Sequence, residues 1–333
     1  MGVYTASLDA HLRPAGTGAV SHLRPTATGV VRSAGATGAR RRDLSFRLFV
    51  EEARPSVQLI FLMRFLAGAV LAAGGRFAGL GAQVTVAGIG WVLATLFAYG
   101  INGVCDVRED LVNRTGRPIA RGELPPGVAA VWTWLCAAGS VVAMLSTGST
   151  LLTAYDLLFL LLGYAYSAAP FQLKRTTAGA SGAVLLMGLL TYAAGWTAAG
   201  RALPTGADLA VAGAMSLWMA AVGAVTKDFS HAAGDAAAGR RSSVTAWGEG
   251  TARLTGAVGA LLVAGGFAAV AAGRPALLGP AAGVLAGGAV AVAVLCRTTR
   301  GDEARGRTPY RAFMVTQYLV HLTLFAGLGW AAA

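Results

Sequence analysis

Long apolar runs, separated by short polar or charged stretches, make up most of the chain after residue 56. Each run holds about 18 residues or more with almost no charge, which is long enough for a helix to cross the ~30 Å hydrocarbon layer of a bilayer. The predicted spans are 57–75, 83–103, 126–146, 150–166, 178–197, 208–226, 254–272, 276–296 and 312–331. The pattern predicts an all-α, polytopic membrane protein built as a bundle of about nine transmembrane helices.

The composition supports this class of protein. Of the 333 residues, 55% are hydrophobic and only 13% are charged, and the mean hydropathy is +0.60. An ordinary soluble domain has about 25% charged residues, so this composition excludes that class.

The basic residues are distributed unevenly between the two sides of the predicted spans. If the N-terminus is cytoplasmic, 23 of the 27 Lys and Arg residues fall on the cytoplasmic side and three on the other. Cytoplasmic loops of membrane proteins carry such an excess. The net charge of +12 is therefore explained by topology, and no nucleic-acid partner is expected.

The first 50 residues differ in composition from the rest. Residues 1–50 are rich in Gly, Ala, Thr, Ser and Arg and lack apolar periodicity. They are predicted to form a disordered, basic cytoplasmic tail, followed by a transmembrane domain over 51–333. Only two of the 27 basic residues are lysines, which suggests a GC-rich bacterial genome and a bacterial cell membrane as the location.

Two acidic stretches follow spans that both run toward the cytoplasmic face. They are "NGVCDVRED" (102–110), after the second span, and "KDFSHAAGD" (227–235), after the sixth. In a continuing helix, Asn102, Asp106 and Asp110 share one face because they are four residues apart.

The second stretch has a similar spacing. Asp228, His231 and Asp235 would also share one helical face. Carboxylate oxygens suit Mg²⁺, whose coordination is usually completed by water and substrate phosphate oxygens. The two stretches together predict a Mg²⁺ and diphosphate site at the cytoplasmic mouth of the bundle.

Basic residues that can bind phosphate oxygens accompany both stretches and the loop after the fourth span. They are Arg117, Arg121, Lys174, Arg175, Arg240 and Arg241. The alternative is that these loop charges are simply solvated and balance one another. Two acidic stretches on one side, in a chain with only 15 acidic residues, favour a site.

Two charged residues, Arg64 and Asp156, lie well inside predicted spans. Such residues usually face a cavity or pair with each other. Arg64 is interpreted as a cavity residue that binds an acceptor carboxylate or a phosphate. Snorkelling and pairing with Asp156 are the alternatives.

The acidic stretches resemble the signature motifs of the UbiA superfamily of intramembrane prenyltransferases. The family's NDxxDxxxD and RPIxxG segments are similar to "NGVCDVRED" and "RPIARGELPP" (117–126). Its KDxxDxxGDxxxGxxS/T segment is similar to "KDFSHAAGDAAAGRRS" (227–242), and a YSxPPxxLKR-like loop to "YSAAPFQLKR" (166–175). An Arg-Pro pair before the first span, Arg54-Pro55, also fits, and the order and spacing agree over about residues 50–333.

The resemblance implies a helical bundle with a cytoplasmic-facing cavity that holds an isoprenyl diphosphate on Mg²⁺, with its apolar tail in the membrane. On the family pattern, the first metal site would use Asn102, Asp106 and Asp110, and the second Asp235. The diphosphate would be served by Lys174 with Tyr166 nearby. The basic residues Arg117, Arg121, Arg175, Lys227 and Arg240 are also predicted to bind substrate.

Two residues depart from the family pattern. Gly103 replaces an Asp, and it is expected to lie off the ligand face at little cost. His231 replaces a carboxylate, and a nitrogen is a poor Mg²⁺ ligand. Either the second metal site is incomplete unless Asp228 turns to help, or His231 accepts a proton late in the reaction.

The predicted reaction is ionisation of an allylic prenyl diphosphate on Mg²⁺, followed by attack of an acceptor expected to be aromatic. Tyr166 and His231 are the predicted catalytic residues. A UbiA-like terpene cyclase, in which another double bond of the same chain captures the cation, is an alternative. An ion or solute carrier is a more distant one.

Overall fold

A computed structural model describes residues 34–77, 80–201 and 203–331. The chain divides into two compact units, residues 1–41 and 42–333. Of the first unit, residues 34–41 are described, and they are helical. In the second, helices are joined by loops, a 3₁₀ turn at Leu173–Arg175 and an isolated parallel β-bridge.

Within the described residues, thirteen helical elements follow one another along the chain. They are α1 (Ala34–Glu52), α2 (Pro55–Ala72), α3 (Ala82–Cys105), α4 (Val107–Val112), α5 (Pro126–Ser146), α6 (Thr150–Ser167), α7 (Thr177–Ala198), α8 (Gly206–Asp228), α9 (Ala232–Ala237), α10 (Ser243–Trp247), α11 (Glu249–Ala271), α12 (Pro275–Thr298) and α13 (Thr308–Ala331).

The predicted all-α membrane fold is confirmed. Within the described residues, eight helices are long and apolar enough to cross a membrane: α2, α3, α5, α6, α7, α8, α11 and α12. The ninth predicted span, 312–331, lies within α13. The count of nine spans therefore stays a prediction.

The structure differs from the sequence interpretation before residue 50. Helix α1 begins at Ala34, inside the segment predicted to lack regular structure. Its last turn is held in place by Phe49, which is fully buried against Leu96 and Phe97 of α3. The predicted disorder of residues 1–33 lies outside the described residues.

Helices α2 and α7 pack with their backbones in close approach. A Cβ atom added to Gly195 would lie 2.0 Å from the carbonyl oxygen of Phe65, and one added to Gly68 would lie 2.4 Å from that of Tyr192. Small residues allow such packing where lipid removes the hydrophobic drive between helices. The two glycines therefore set the spacing of one wall of the bundle.

Helix α8 is interrupted by a π-helical segment, Trp218–Gly223. The wider turn rotates the residues that follow it relative to a continuous α-helix. Ser181 of α7 donates a hydrogen bond to the carbonyl of Ala220 in this segment at 2.9 Å. The π segment thus lies beside the cavity described next, which Met219 and Gly223 help to line.

Candidate active site

One cavity has a charged mouth and an apolar interior. Polar residues at its mouth come from the ends of α2, α3 and α8 and from the short helices beside them. They are Arg54, Asn102, Asp106, Glu109, Asp110, Asn113, Lys227, His231, Asp235 and Arg240. Apolar residues continue the lining inward and include Val57, Ile60, Phe61, Ala98, Val184, Met187, Met219, Phe313 and Met314. The cavity is therefore shaped for an amphiphile with a charged head and an apolar tail.

The first acidic stretch keeps the predicted spacing, although α3 ends at Cys105. The Asp106 amide donates to the Asn102 carbonyl at 2.9 Å, and the Asp110 amide donates to the Asp106 carbonyl at 2.8 Å. Because this hydrogen-bond pattern is helical, Asn102, Asp106 and Asp110 stay on one side of the chain and all line the cavity.

Asp106 is the most heavily contacted of these residues. Its carboxylate contacts Lys174, accepts a hydrogen bond from Arg240 at 2.9 Å, and accepts another from the Asn102 side chain at 2.8 Å. Burial raises the pKa of Asp106, but the charges of Lys174 and Arg240 outweigh burial, and the pKa lies below its ordinary value. Asp106 is therefore a carboxylate at neutral pH.

Arg240 connects the two acidic stretches. Its guanidinium contacts Glu109 and Asp106 of the first stretch, and its Nη1 lies 3.5 Å from the Asp235 carboxylate of the second. Glu109 also belongs to the site, although no motif marked it, because it lines the cavity and its side chain is 17% exposed. Burial, helped by the charge of Asp106, raises the pKa of Glu109 to about 7.

Asp110 is held by Arg117, which is itself buried. Arg117 Nη1 donates to the Asp110 carboxylate at 2.8 Å, and Arg117 Nε lies 2.7 Å from the carboxylate of Glu52. Arg117 does not line the cavity. It therefore holds site residues in place, whereas the sequence predicted a substrate contact. Glu52 belongs to no motif, so sequence reasoning missed it.

The second stretch does not form the continuous helix that its spacing suggested. Helix α8 ends at Asp228, and α9 begins at Ala232. Asp228 accepts hydrogen bonds from the backbone amide and hydroxyl of Ser243 at 2.9 and 2.8 Å and does not line the cavity. Asp228 therefore binds the first residue of α10, and it is not placed at the cavity as the predicted metal ligand. Asp235 does line the cavity.

His231 lines the cavity in a neutral form. Its Nδ1 lies 2.8 Å from the Lys227 carbonyl, to which a protonated Nδ1 would donate. In the described part of the chain, its Nε2 has no hydrogen-bond partner. Burial and the positive charge of Lys227 lower the pKa of His231 to about 4. At neutral pH the ring therefore offers Nε2 as a proton acceptor.

The remaining predicted cations divide into two groups. Lys227 lines the cavity and lies 3.5 Å from the Tyr166 hydroxyl, and Lys174 is buried against Asp106. Arg121 is instead exposed and pairs with Glu51 and Glu123, and the exposed Arg175 binds Gln172. The structure brings neither Arg121 nor Arg175 to the cavity. Arg54 does line the cavity, although the sequence analysis assigned it no role beyond a motif match.

Arg64 and Asp156 do not pair. Asp156 contacts the hydroxyl of Ser140. Arg64 is fully buried, and it donates to the Gln317 side chain at 2.8 Å and to the Met219 sulfur at 2.9 Å. Among the residues that the structure describes, its Nε has no hydrogen-bond partner. Arg64 therefore does not line the cavity as interpreted from the sequence, and it lies behind two residues that do, Gln317 and Met219.

Three loops that carry motif residues are joined to one another by hydrogen bonds. The Arg241 amide donates to the Arg175 carbonyl at 2.7 Å, and the Thr177 amide donates to the Arg241 carbonyl at 3.2 Å. The Asn113 side chain accepts a hydrogen bond from the Gly234 amide at 2.9 Å. Asn113, another residue that sequence reasoning missed, therefore ties the two acidic stretches together.

A bundle of membrane-length helices around a cavity with a charged mouth defines a multi-pass membrane protein with an intramembrane site. A model of the UbiA prenyltransferase family matches residues 61–322. The chain belongs to this family and is a prenyltransferase. Membership of an enzyme family argues against the alternative of an ion or solute carrier.

Solved structures share the fold. A UbiA homologue from Archaeoglobus fulgidus bound to GPP and Mg²⁺ matches with a TM-score of 0.65 at 16% identity, over 85% of this chain and 99% of that one. A digeranylgeranylglyceryl phosphate synthase matches with a TM-score of 0.59 at 14% identity, over 85% of this chain and 98% of that one.

One curated relative matches over a short region. The probable homogentisate phytyltransferase 2, chloroplastic, of Oryza sativa subsp. japonica is 37% identical over 79 residues. The match covers 24% of this chain and spans 21% of that relative's length.

Proposed function

We propose that this protein transfers an isoprenyl group from an allylic prenyl diphosphate to an aromatic acceptor with the help of Mg²⁺. The single observation that carries the proposal is the cavity whose charged mouth continues into an apolar interior. A diphosphate fits the mouth and a prenyl chain fits the interior. The solved A. fulgidus homologues bound to GPP or DMAPP with Mg²⁺ support this substrate class.

The donor atoms at the mouth fit Mg²⁺. Asn102, Asp106, Asp110 and Asp235 all line the cavity and offer hard oxygen ligands. Within the described residues, no three His, Cys, Asp or Glu side chains form a ready metal cluster. Mg²⁺ needs no such cluster, because it is usually bound through one or two carboxylates together with water and substrate phosphates. Bound there, Mg²⁺ would stabilise negative charge on the departing diphosphate.

Cations of the chain would act on the same charge. Arg54, Lys227 and Arg240 line the mouth, and the Tyr166 hydroxyl lies beside Lys227. As the allylic C–O bond breaks, its electron pair goes to the diphosphate, and fixed positive charges stabilise that anion. Lys174 acts one step away by holding Asp106.

The allylic cation then needs protection from water and a nucleophile. Phe61 and Tyr99 line the cavity, and aromatic faces stabilise cations within about 6 Å. The acceptor carbon forms a bond to the allylic carbon and then releases a proton. Neutral His231 is proposed to accept that proton at Nε2.

Arg64 is proposed to act on acceptor binding from behind the cavity wall, by positioning Gln317 and Met219. Its hydrogen bonds to these two residues support this role, since both of them line the cavity. Unchanged acceptor KM and turnover in Arg64→Gln would show that this role is wrong.

The mouth is proposed to open on the cytoplasmic side of a bacterial cell membrane, with the N-terminus on that side. The excess of Lys and Arg in the predicted cytoplasmic segments supports this orientation. Accessibility of an added N-terminal cysteine to an impermeant thiol reagent in oriented vesicles tests it.

Product analysis tests the proposed function. Purified protein is incubated with C10, C15 and C20 prenyl diphosphates, with and without 4-hydroxybenzoate or homogentisate. Prenylated aromatic product that requires both substrates is expected, and the aromatic acceptor is suggested by the name of the rice relative. A cyclic hydrocarbon or alcohol formed without an acceptor would instead support the cyclase.

A further inference from the structure

We propose that Glu52, the last residue of α1, is a positioning residue that holds Asp110 at the active site through Arg117. Gly103 makes this possible because it leaves the space that the Glu52 carboxylate occupies. The effect on turnover rests on the proposed function, whereas the contact itself does not.

Glu52 is a buried carboxylate with defined partners. It is 0% exposed, its Oε1 lies 2.7 Å from Arg117 Nε, and its Oε2 accepts a hydrogen bond from the Ile119 amide at 3.0 Å. The Arg117 Nη2 also donates to the Glu52 backbone carbonyl at 2.9 Å. A buried charge is tolerated only when it is paired and hydrogen-bonded, so Glu52 and Arg117 depend on each other.

The same arginine reaches the active site with its other end. Arg117 Nη1 donates to the Asp110 carboxylate at 2.8 Å and lies 3.4 Å from the Asn102 side-chain oxygen. Asp110 and Asn102 line the cavity, whereas Arg117 and Glu52 do not. Within the described residues, Glu52 therefore contacts the site through Arg117.

Gly103 faces this ion pair. A Cβ atom added at this position would lie 2.3 Å from Glu52 Oε1 and 2.8 Å from Arg117 Nη2. Any side chain there would therefore displace the carboxylate from Arg117. The motif that this stretch resembles has an aspartate at the position, so in this chain the negative charge beside Arg117 comes from α1.

Moving the carboxylate between the two positions tests the proposal. Glu52→Ala leaves Arg117 without its partner, and Gly103→Asp places a second carboxylate in occupied space. Each single variant is expected to lower kcat/KM for the prenyl diphosphate by about 10-fold or more, as for other residues that orient metal ligands. The double variant Glu52→Ala/Gly103→Asp places a carboxylate in the vacated space and is expected to recover most of the loss.

The matched control is Glu52→Ala/Gly103→Ala, which removes the steric conflict but supplies no charge. It is expected to remain about 10-fold or more impaired. Glu52→Gln, which keeps the size of the side chain, is expected to share the defect. The defect should appear as a higher Mg²⁺ concentration for half-maximal rate, which a purely structural role would not change.

The unfolding midpoint of each detergent-solubilised variant, without ligand, gives a readout that does not depend on turnover. The double variant with aspartate should unfold at a higher temperature than the double alanine variant. Equal midpoints and equal Mg²⁺ dependence in these two variants would overturn the proposal, as would wild-type behaviour of Glu52→Gln. If the wild type forms no product, the proposed function fails, while the midpoints still test the Glu52–Arg117 contact.

Discussion

Lys174 contacts the carboxylate of Asp106 across the mouth of the cavity, although the two residues are 68 positions apart in the chain. The contact joins the loop after α6 to the end of α3. The loop that carries Lys174, in "YSAAPFQLKR" (166–175), therefore contacts the first acidic stretch directly.

Lys174→Met is expected to lower kcat/KM for the prenyl diphosphate by about 10- to 100-fold, because Asp106 loses one of the two cations that hold it. The measurement is steady-state turnover in detergent or nanodiscs. Arg175→Met is the matched control, since Arg175 is the next residue and its exposed side chain donates a hydrogen bond to Gln172 at the surface. Equal losses in the two variants would contradict the assignment.

Gly195→Ala is expected to destabilise the protein and lower its unfolding midpoint, because the new Cβ would lie 2.0 Å from the Phe65 carbonyl. Gly182→Ala in the same helix is the control, since nothing lies within 4 Å of its added Cβ. Alanine favours helix over glycine by about 1 kcal/mol, so this control should be neutral or stabilising. A neutral Gly195→Ala would mean that α2 and α7 are farther apart.

Glu109 makes the stability of the metal-free protein depend on pH. Its pKa is raised from 4.5 to about 7 by burial and by Asp106, against the opposing charge of Arg240. Between these values the folded protein keeps a proton that the unfolded chain has lost, so the free energy of unfolding falls as pH rises from about 4.5 to about 7.

Glu109→Gln should remove this loss. In EDTA, the unfolding midpoint of the variant should rise relative to that of the wild type as the pH increases from about 5 to about 8. Glu123→Gln is the control, because Glu123 is exposed and the Arg121 hydrogen bond lowers its pKa, so it titrates below this range. Parallel curves for Glu109→Gln and wild type would show that Glu109 ionises normally.

The sequence left two interpretations of His231 open: it accepts the product's proton, or it leaves the second metal site incomplete. If it accepts the product's proton, His231→Ala and His231→Asp should both lower kcat, with little change in the Mg²⁺ requirement. Since its pKa is lowered to about 4, wild-type kcat should fall through protonation of His231 only as pH drops toward that value. If His231→Asp keeps the wild-type kcat and reaches its half-maximal rate at a lower Mg²⁺ concentration, the wild-type second metal site is incomplete instead.

The sequence predicted the membrane helices well because a long uncharged run has few alternatives in a bilayer. The bounds of α3 and α5 lie within two residues of the predicted spans. Helix α1 was missed because its apolar residues are few and its burial depends on α3, which lies far along the chain. The π segment of α8 has no pattern of its own in this stretch of small and apolar residues.

The site was predicted where local spacing decides the geometry and missed where tertiary contacts decide it. The Asn102, Asp106 and Asp110 spacing survives because the helical hydrogen bonds continue past Cys105. The prediction for the second stretch was wrong at Asp228, because the helix ends there and the Asp228 carboxylate accepts a hydrogen bond from Ser243. Glu52 and Glu109 depend on partners 65 and 131 positions away, Arg117 and Arg240, which no local pattern reveals.

The release of pyrophosphate from allylic diphosphates tests the central claim most directly. Wild-type protein and Asp106→Asn are incubated with the aromatic acceptor and either geranyl diphosphate or its saturated analogue, in Mg²⁺ or in EDTA. Pyrophosphate should appear only when wild-type protein, the allylic substrate and Mg²⁺ are all present. Ionisation needs an allylic double bond that stabilises the forming cation, and it needs a charged mouth that stabilises the departing diphosphate. Release that persists in EDTA, or in Asp106→Asn at the wild-type rate, would contradict a Mg²⁺-dependent diphosphate site at this mouth.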